Sequence, residues 1–206
     1  MKRRTCTAAL ERELRDLGYR LIAGVDEVGR GAWAGPVVAA AVILDLDRLP
    51  EGLDDSKRLS PSRREQLFQA IRETAQAIAL GIVDAREIDR TNILRATERA
   101  MRQAVEGLRP RPDFLLIDAV RLDDLGIPYR ALIRGDQISV SIAAASIIAK
   151  VTRDRLMREY DGLYPGYGFA QHVGYGTPAH RDALARLGPC PIHRLSFRGI
   201  WPPKER

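Results

Sequence analysis

Four carboxylates stand at or just beyond the ends of short apolar runs. Asp26 and Glu27 follow one such run, Asp118 follows a second, and Asp136 comes shortly after a third. Buried carboxylates are costly unless they are paired, and clusters of carboxylate oxygens are the ligands that Mg²⁺ and Mn²⁺ prefer. The pattern indicates either a metal site built from these acids or strand-end acids that cap turns and pair with arginines.

Phosphodiester hydrolysis is one chemistry that such a carboxylate cluster could serve. Two divalent cations about 3.5–4 Å apart can hold a scissile phosphate, activate water on one side and stabilise the leaving oxygen on the other. The candidate ligands of two Mg²⁺ or Mn²⁺ ions in this pattern are Asp26, Glu27, Asp118 and Asp136.

A Gly-Arg-Gly triplet, residues 29–31, follows the Asp–Glu pair almost directly. Adjacent residues of a regular strand point to opposite faces, so Asp26 and Glu27 cannot both reach one ion from such a strand. The glycines permit the chain to leave strand geometry. We therefore expect Asp26 to be the last regular strand residue and Glu27 to turn into the site from a bend.

The elements that must position these acids alternate between strand-like and helical patterns. Strands are predicted near residues 19–28, 36–44, 78–85, 114–117 and 128–136, and helices near 3–18, 61–78, 91–108, 140–160 and 178–187. This order favours one α/β layer domain with a mixed sheet, followed from about residue 160 by a small helical or irregular segment. Ligand groups gather at strand ends in open α/β sheets, so acids that are remote in sequence can meet in one cleft.

The composition is typical of a soluble globular protein of the cytoplasm. The 206 residues are 45% hydrophobic and 29% charged, with no apolar run long enough to span a bilayer and no apolar signal core near the N-terminus. A net charge of +6 suggests a polyanionic partner. Cys6 and Cys190 are too few for a disulfide framework or a zinc site, so we expect both to be structural.

Longer motifs in this chain resemble bacterial ribonuclease HII. In order, from about residue 20 to residue 198, they are AGVDEVGRGAWAGPVVAAAVIL, DSKRLS, LLIDAV, RGD, SIAAASIIAKVTRD, YPGYGFAQHVGYGTPAH and GPCPIHRLSF. The resemblance implies an α/β, ribonuclease H-like fold, with a mixed five-stranded sheet flanked by helices. It also implies a catalytic domain over residues 1–160 and a small helical extension over 161–206 that contributes to substrate binding.

The same resemblance implies metal-dependent endonucleolytic cleavage of RNA that is paired with or joined to DNA. The expected substrates are RNA/DNA hybrids and duplex DNA that contains single ribonucleotides. The expected cut lies 5′ of the ribonucleotide and leaves 3′-hydroxyl and 5′-phosphate ends. We expect a monomer with no membrane partner.

Residue by residue, the resemblance places the family's catalytic acids on the four carboxylates already singled out. Its substrate-reading loop falls on Gly29, Arg30 and Gly31, and its junction-sensing tyrosine on Tyr175, which stands between two glycines. The chain departs from the family's usual pattern at Val28, Ala32, Trp33 and Ala119. None of these changes removes a functional side chain, although Ala119 narrows the backbone freedom beside Asp118 because the family often has glycine there.

Recognition of ribose requires detection of the 2′-hydroxyl, the group that distinguishes RNA from DNA. Glycines let backbone groups approach a sugar closely, and Arg30 between them can grip a phosphate. A tight turn with a solvated arginine would have the same sequence. Tyr175 is expected to stack on the deoxyribose next to the ribonucleotide.

Four further residues are predicted substrate contacts: Lys57, Ser146, Lys150 and Arg153. Lys57 lies in a polar loop and would serve equally well as a solvated side chain. Ser146, Lys150 and either Arg153 or Asp154 share one helix face by their spacing. A phosphate or a catalytic acid could neutralise Lys150, but pairing with Asp154 is the favoured interpretation.

Two other functions fit parts of the pattern. A junction-resolving nuclease would use the same acids on branched all-DNA substrates and would not need a 2′-hydroxyl. A non-catalytic basic module would bind nucleic acid in a salt-sensitive way, with no dependence on divalent cations. The Gly-Arg-Gly triplet disfavours the first, and the strand-end acids disfavour the second.

Overall fold

The computed structural model describes residues 6–122 and 124–200. Its helices are α1 (Ala9–Asp16), α2 (Pro61–Thr74), α3 (Ala85–Arg90), α4 (Ile93–Gly107), α5 (Val140–Leu163), α6 (Phe169–His172) and α7 (Pro178–Leu187). Its strands are β1 (Ile22–Val28), β2 (Val37–Ile43), β3 (Ala77–Val83), β4 (Phe114–Asp118) and β5 (Tyr129–Leu132). The predicted α/β architecture with a mixed five-stranded sheet is confirmed.

The strands form one sheet in the order β3-β2-β1-β4-β5. The β1–β2 and β2–β3 pairs are antiparallel, whereas β1–β4 and β4–β5 are parallel. The β1–β4 ladder ends where Val25 pairs with Ile117, but the β1–β2 ladder continues to Val28 and Val38. The last three residues of β1 therefore have a strand neighbour on one side only; we call their unpaired edge, beyond Val25 and Ile117, the notch.

Apolar layers cover both faces of the sheet. One face packs against α4, and the other packs against α2 and the apolar half of α5. Helix α5 passes very close to β1: a Cβ added at Gly24 would lie only 2.0 Å from the backbone carbon of Ser141. This contact explains why the first half of α5 is apolar nearly all round: it is enclosed by the sheet and by α2.

Most predicted elements are confirmed, including the cap of α2, where the Ser60 side chain accepts a hydrogen bond from the backbone N–H of Arg63. Several details differ, among them the start of α1 at Ala9 and the end of α2 at Thr74, both inside their predicted ranges. Glu27 is part of regular strand β1 and pairs with Ala39, so the predicted bend after Asp26 is wrong. Strand β5 ends earlier than predicted, and Asp136 lies in a short 3-10 turn, Gly135–Gln137. Helices α3 and α6 were not predicted, because each is too short to show a period.

The chain after α5 packs back onto the loop between β1 and β2, residues 29–36, which we call the β1–β2 loop. Phe169 and Met157 are fully buried in one cluster with Ala34 of this loop, and Ala34 also forms an isolated bridge with His193. Helix α5 runs through the predicted boundary at residue 160. Residues 1–5 and 201–206, at the two ends of the predicted domains, lie outside the described residues. Within the described ranges, no helix is long and apolar enough to cross a membrane.

Candidate active site

Asp26 is held from the α5 side of the sheet. Its carboxylate accepts hydrogen bonds from the Ser146 hydroxyl and from the backbone N–H of Glu27, the latter at 2.7 Å. The Ser146 oxygen lies 2.8 Å from the Ser56 hydroxyl. Ser146 is only 6% exposed, and its hydrogen bond orients the Asp26 carboxylate from the interior, on the side of α5.

Glu27 leaves β1 on the opposite face, as strand geometry requires. Its Oε1 lies 3.3 Å from a guanidinium nitrogen of Arg30, whereas its Oε2 is buried with no hydrogen-bond partner among the described residues. Both carboxyl groups nevertheless lie close enough to Asp118 for its charge to act on each of them. An unpaired buried carboxylate oxygen is costly, and a bound cation would satisfy it.

Asp118 and Asp136 approach the notch from the other side. The backbone N–H of Gly135 donates to Asp118 Oδ1 at 2.7 Å. Asp136 is buried and shares a hydrogen bond with the carboxyl group of Asp55. Asp55 also accepts from the backbone N–H of Lys57 at 2.9 Å and from the Gln137 side chain at 3.2 Å.

Sequence reasoning missed Asp55, a fifth acid at this site and a buried one. Its signal was the segment Asp55-Ser56-Lys57, of which only Lys57 was singled out. A loop aspartate that binds its own backbone is ordinary, so the spacing alone did not distinguish it. Its burial, 5% exposed, and its contact with Asp136 are tertiary features.

The pKa values of all four predicted ligands are raised. Burial raises the pKa of Asp26 well above its usual range, and Glu27 and Asp118 add to the effect. Burial likewise raises the pKa values of Glu27 and Asp118, and burial with Asp55 and Asp118 raises the pKa of Asp136 to about 6. The negative charges of these carboxylates repel one another, and a bound divalent cation would relieve that repulsion.

The donor set fits a hard divalent cation, although the acids do not yet enclose one. No three Asp, Glu, His or Cys side chains of residues 6–122 and 124–200 converge tightly enough to hold an ion as they stand. The fit rests on the all-oxygen chemistry of the donors and on the unpartnered Glu27 oxygen. Lys57 is exposed beside these acids; burial lowers its pKa, but Asp136 and Asp26 outweigh that effect and raise it.

The predicted reading residues lie together next to the acids. Gly29 has a φ of +93°, which favours glycine, and a Cβ at Gly31 would be 4.0 Å from Cε1 of Tyr175. Arg30 and Gly31 are exposed, and Tyr175 is half-buried. The ion pair between Arg30 and Glu27 joins this group directly to the carboxylates.

Two of the predicted substrate contacts lie below the surface. Ser146 contacts Asp26 and Ser56, and Arg153 is 0% exposed with its guanidinium bonded to backbone carbonyls. Helical spacing gave the correct face of α5 but not what covers that face. Lys150 pairs with Asp154 at 2.8 Å, the interpretation that the sequence favoured.

Two of the three histidines, His180 and His193, form a buried hydrogen-bond chain that ends at the backbone of Tyr175. The backbone N–H of Cys190 donates to His193 Nδ1, the Nε2 atoms of His193 and His180 lie 3.1 Å apart, and His180 Nδ1 lies 3.0 Å from the carbonyl of Tyr175. Burial lowers the pKa of His180 to about 4 and also lowers that of His193. Both are therefore neutral at pH 7, and the chain fixes the backbone of Tyr175.

Ala119, directly after Asp118, has a φ of +51°, in the left-handed region that favours glycine. Its side chain is exposed, so glycine would lose little packing. Ala119→Gly is expected to raise the free energy of unfolding by about 0.5 kcal/mol, because relief of backbone strain slightly outweighs the added freedom of the unfolded chain. Urea denaturation checks this.

The matched control is Ala131→Gly, at an exposed position of β5 with no positive φ. It is expected to lower the free energy of unfolding by about 0.5–1 kcal/mol. Equal effects of the two substitutions would contradict strain at Ala119.

Comparison with known proteins gives one consistent result. Residues 23–200 match the Ribonuclease HII family. The chain is 60% identical over 183 residues to the ribonuclease HII of Geobacter sulfurreducens, covering 89% of this chain and 84% of that one. It is 57% identical over 187 residues to the ribonuclease HII of Acetivibrio thermocellus, covering 91% and 73%.

Solved structures agree with the sequence relatives. The ribonuclease H2 of Pyrococcus horikoshii OT3 superposes with a TM-score of 0.75 at 27% identity, over 87% of this chain and 95% of that one. The ribonuclease HII of Archaeoglobus fulgidus, solved in complex with PCNA, superposes with a TM-score of 0.76 at 28% identity, over 91% and 98%. This chain therefore belongs to the ribonuclease HII family, and it is a metal-dependent endonuclease of the type 2 ribonuclease H class.

Proposed function

We propose that this enzyme cuts the phosphodiester bond 5′ of a ribonucleotide, leaving 3′-hydroxyl and 5′-phosphate ends. Its substrates are RNA/DNA hybrids and duplex DNA that contains single ribonucleotides. The observation that supports this most directly is the adjacency of acids and reading loop. Glu27 contacts Arg30 at 3.3 Å, and Gly31 approaches the ring of Tyr175 to 4.0 Å at its Cβ position.

The ligands of two Mg²⁺ or Mn²⁺ ions are Asp26, Glu27, Asp118 and Asp136. When bound, the ions supply activation of water and stabilisation of the leaving oxygen. The protein's own contribution is to hold the acids in place. Ser146 orients Asp26, the Gly135 N–H orients Asp118, and Asp55 holds Asp136.

The reading residues select the sugar. Gly29 and Gly31 allow backbone groups to approach the 2′-hydroxyl, and Arg30 and Lys57 contact phosphates. Tyr175 stacks on the neighbouring deoxyribose. The segment from residue 161 contributes this tyrosine, and the enzyme acts as a cytoplasmic monomer.

The test uses matched duplexes that carry one, several or no ribonucleotides, each with Mg²⁺ and with Mn²⁺. Cleavage is expected only 5′ of a ribonucleotide, with the ends stated above, and none is expected when the metal is chelated. Cutting of branched all-DNA substrates would instead favour the junction-resolving alternative. Binding without any cut product would favour the non-catalytic alternative.

A further inference from the structure

Two arginines behind the reading residues are fully buried without a carboxylate partner. Arg153, in α5, and Arg194, near the C-terminal end of the described chain, are each 0% exposed. Neither forms an ion pair with any residue in 6–122 or 124–200. Burying an unpaired charge is costly, so these two side chains call for a compensating role.

The nearest acids are engaged elsewhere. Asp154, next to Arg153, is bonded to Lys150. Asp89, in α3, raises the pKa of Arg194 by its negative charge, but its carboxylate accepts hydrogen bonds from the backbone N–H groups of residues 195 and 196. Burial lowers the pKa of Arg194 to about 9, and the nearby charge of Arg153 contributes to this lowering. Arg194 therefore remains protonated at pH 7.

All six hydrogen bonds of the two guanidinium groups go to backbone carbonyls. Arg194 donates to Arg30 at 2.9 Å and twice to Gly35, at 3.0 and 2.9 Å. Arg153 donates to Pro36 at 2.9 Å, to Ala34 at 3.0 Å and to Val173 at 2.8 Å. Five of these bonds go to the β1–β2 loop, and the sixth goes to the segment that carries Tyr175.

The bond from Arg194 to Arg30 sets the direction of one peptide group. Because a trans peptide is planar, its C=O and the following N–H point in opposite directions. The Arg30 carbonyl points inward to Arg194, so the N–H of Gly31 points away from it, toward the exposed side of the loop. That N–H is thereby free to donate to an acceptor such as a ribose 2′-oxygen.

Arg153 fixes the distance between the loop and Tyr175. It bonds both to Ala34 and to Val173, two residues before the tyrosine, and its guanidinium carbon lies 5.6 Å from the centre of the Tyr175 ring. A Cβ at Gly29 would lie 2.2 Å from Arg153 Nε. The loop can therefore sit against this guanidinium only with glycine at position 29.

We propose that Arg153 and Arg194 are positioning residues that set the selectivity for a ribonucleotide over a deoxyribonucleotide. They hold the Gly31 N–H outward and Tyr175 at a fixed distance from it, and they place positive charge beneath the loop that meets a phosphate. This inference rests on the proposed function of the reading residues.

The experiment measures a ratio of dissociation constants in the Asp118→Asn background with Mg²⁺ present. Fluorescence anisotropy compares a duplex with one ribonucleotide and the identical all-DNA duplex. Arg194→Lys and Arg153→Lys retain the charge but lose the forked hydrogen bonds. Each is expected to lower, about tenfold, the ratio of the dissociation constant for the all-DNA duplex to that for the ribonucleotide duplex. Arg194→Gln, which also loses the charge, is expected in addition to weaken binding of both duplexes.

The matched control is Arg155→Lys, on the same helix, where the half-buried arginine pairs with Glu65 and lies over the Phe68 ring. Its ratio is expected to stay unchanged. Should a Gln variant fail to fold, the two Lys variants decide the question at a temperature well below their melting points. A ratio that stays at the Asp118→Asn value in folded Lys variants would overturn the inference and leave Arg153 and Arg194 with a purely structural role. A ratio near one in Asp118→Asn itself would instead count against the proposed function.

Discussion

Asp118→Asn is expected to slow cleavage of a duplex with one ribonucleotide by about 10³-fold or more, because it removes one of the charged oxygen ligands that we propose for the metal site. The fold should survive, since the remaining side-chain oxygen can still accept the Gly135 N–H, now bonded at 2.7 Å. The charge of Asp118 raises the pKa values of Asp26 and Glu27. Its removal relieves that repulsion, so the metal-free variant should be no less stable.

Single-turnover cleavage measures the loss of rate, and thermal unfolding of the metal-free protein measures the change in stability. The matched control is Asp113→Asn, at the other end of β4, where the carboxylate accepts the backbone N–H groups of Arg20 and Leu21 at 2.7 and 3.0 Å. This control should unfold at a lower temperature but cleave at a normal rate. A rate for Asp118→Asn within about tenfold of the unmodified enzyme would remove Asp118 from the ligand set.

The strand-end position of the acids could be predicted from sequence because it is a local pattern. Asp26, Glu27 and Asp118 each end or closely follow an apolar run, and such runs are short strands. How Asp26 and Glu27 could both serve the proposed site could not be predicted in this way. The structure has no bend there; β1 continues three residues beyond its pairing with β4, so the part of β1 that carries both acids has a free edge.

The residues that support the site were harder to predict than the acids. Asp55, Arg153 and Arg194 act through contacts with residues far away in sequence: the Asp55 carboxyl meets Asp136, and Arg194 bonds to Arg30. No periodicity reports such contacts, so a buried arginine and a surface arginine look alike in the sequence. The resemblance to ribonuclease HII predicts which residues read the substrate, but only the fold explains what holds them in place.

The same dependence makes the contact between β1 and α5 a sensitive point for the whole site. Gly24 lies two residues before Asp26, and α5 carries Ser146, which orients the Asp26 carboxylate. A Cβ at Gly24 would lie 2.0 and 2.2 Å from the backbone carbon and oxygen of Ser141. Because both partners are backbone, no side-chain rotation can relieve this overlap, and α5 would have to move away from the sheet.

Gly24→Ala is therefore expected to lower the free energy of unfolding by about 3 kcal/mol or more. For a chain of this size that loss corresponds to a fall in melting temperature of roughly 10 °C. Cleavage at a temperature where the variant is folded should also slow, since a displaced α5 takes Ser146 away from Asp26. Thermal and urea unfolding measure the first effect, and single-turnover cleavage measures the second.

Gly162→Ala is the matched control, since it makes the same chemical change near the C-terminal end of α5, where a Cβ would meet nothing within 4 Å. It should raise the free energy of unfolding by about 0.5 kcal/mol through helix propensity, with no change in cleavage. If Gly24→Ala and Gly162→Ala behaved alike, the close approach of α5 to β1 could not be what holds Asp26 in place. If Gly24→Ala lost stability but kept its rate, Ser146 would not position the carboxylate, because the helix that carries it would have shifted without consequence.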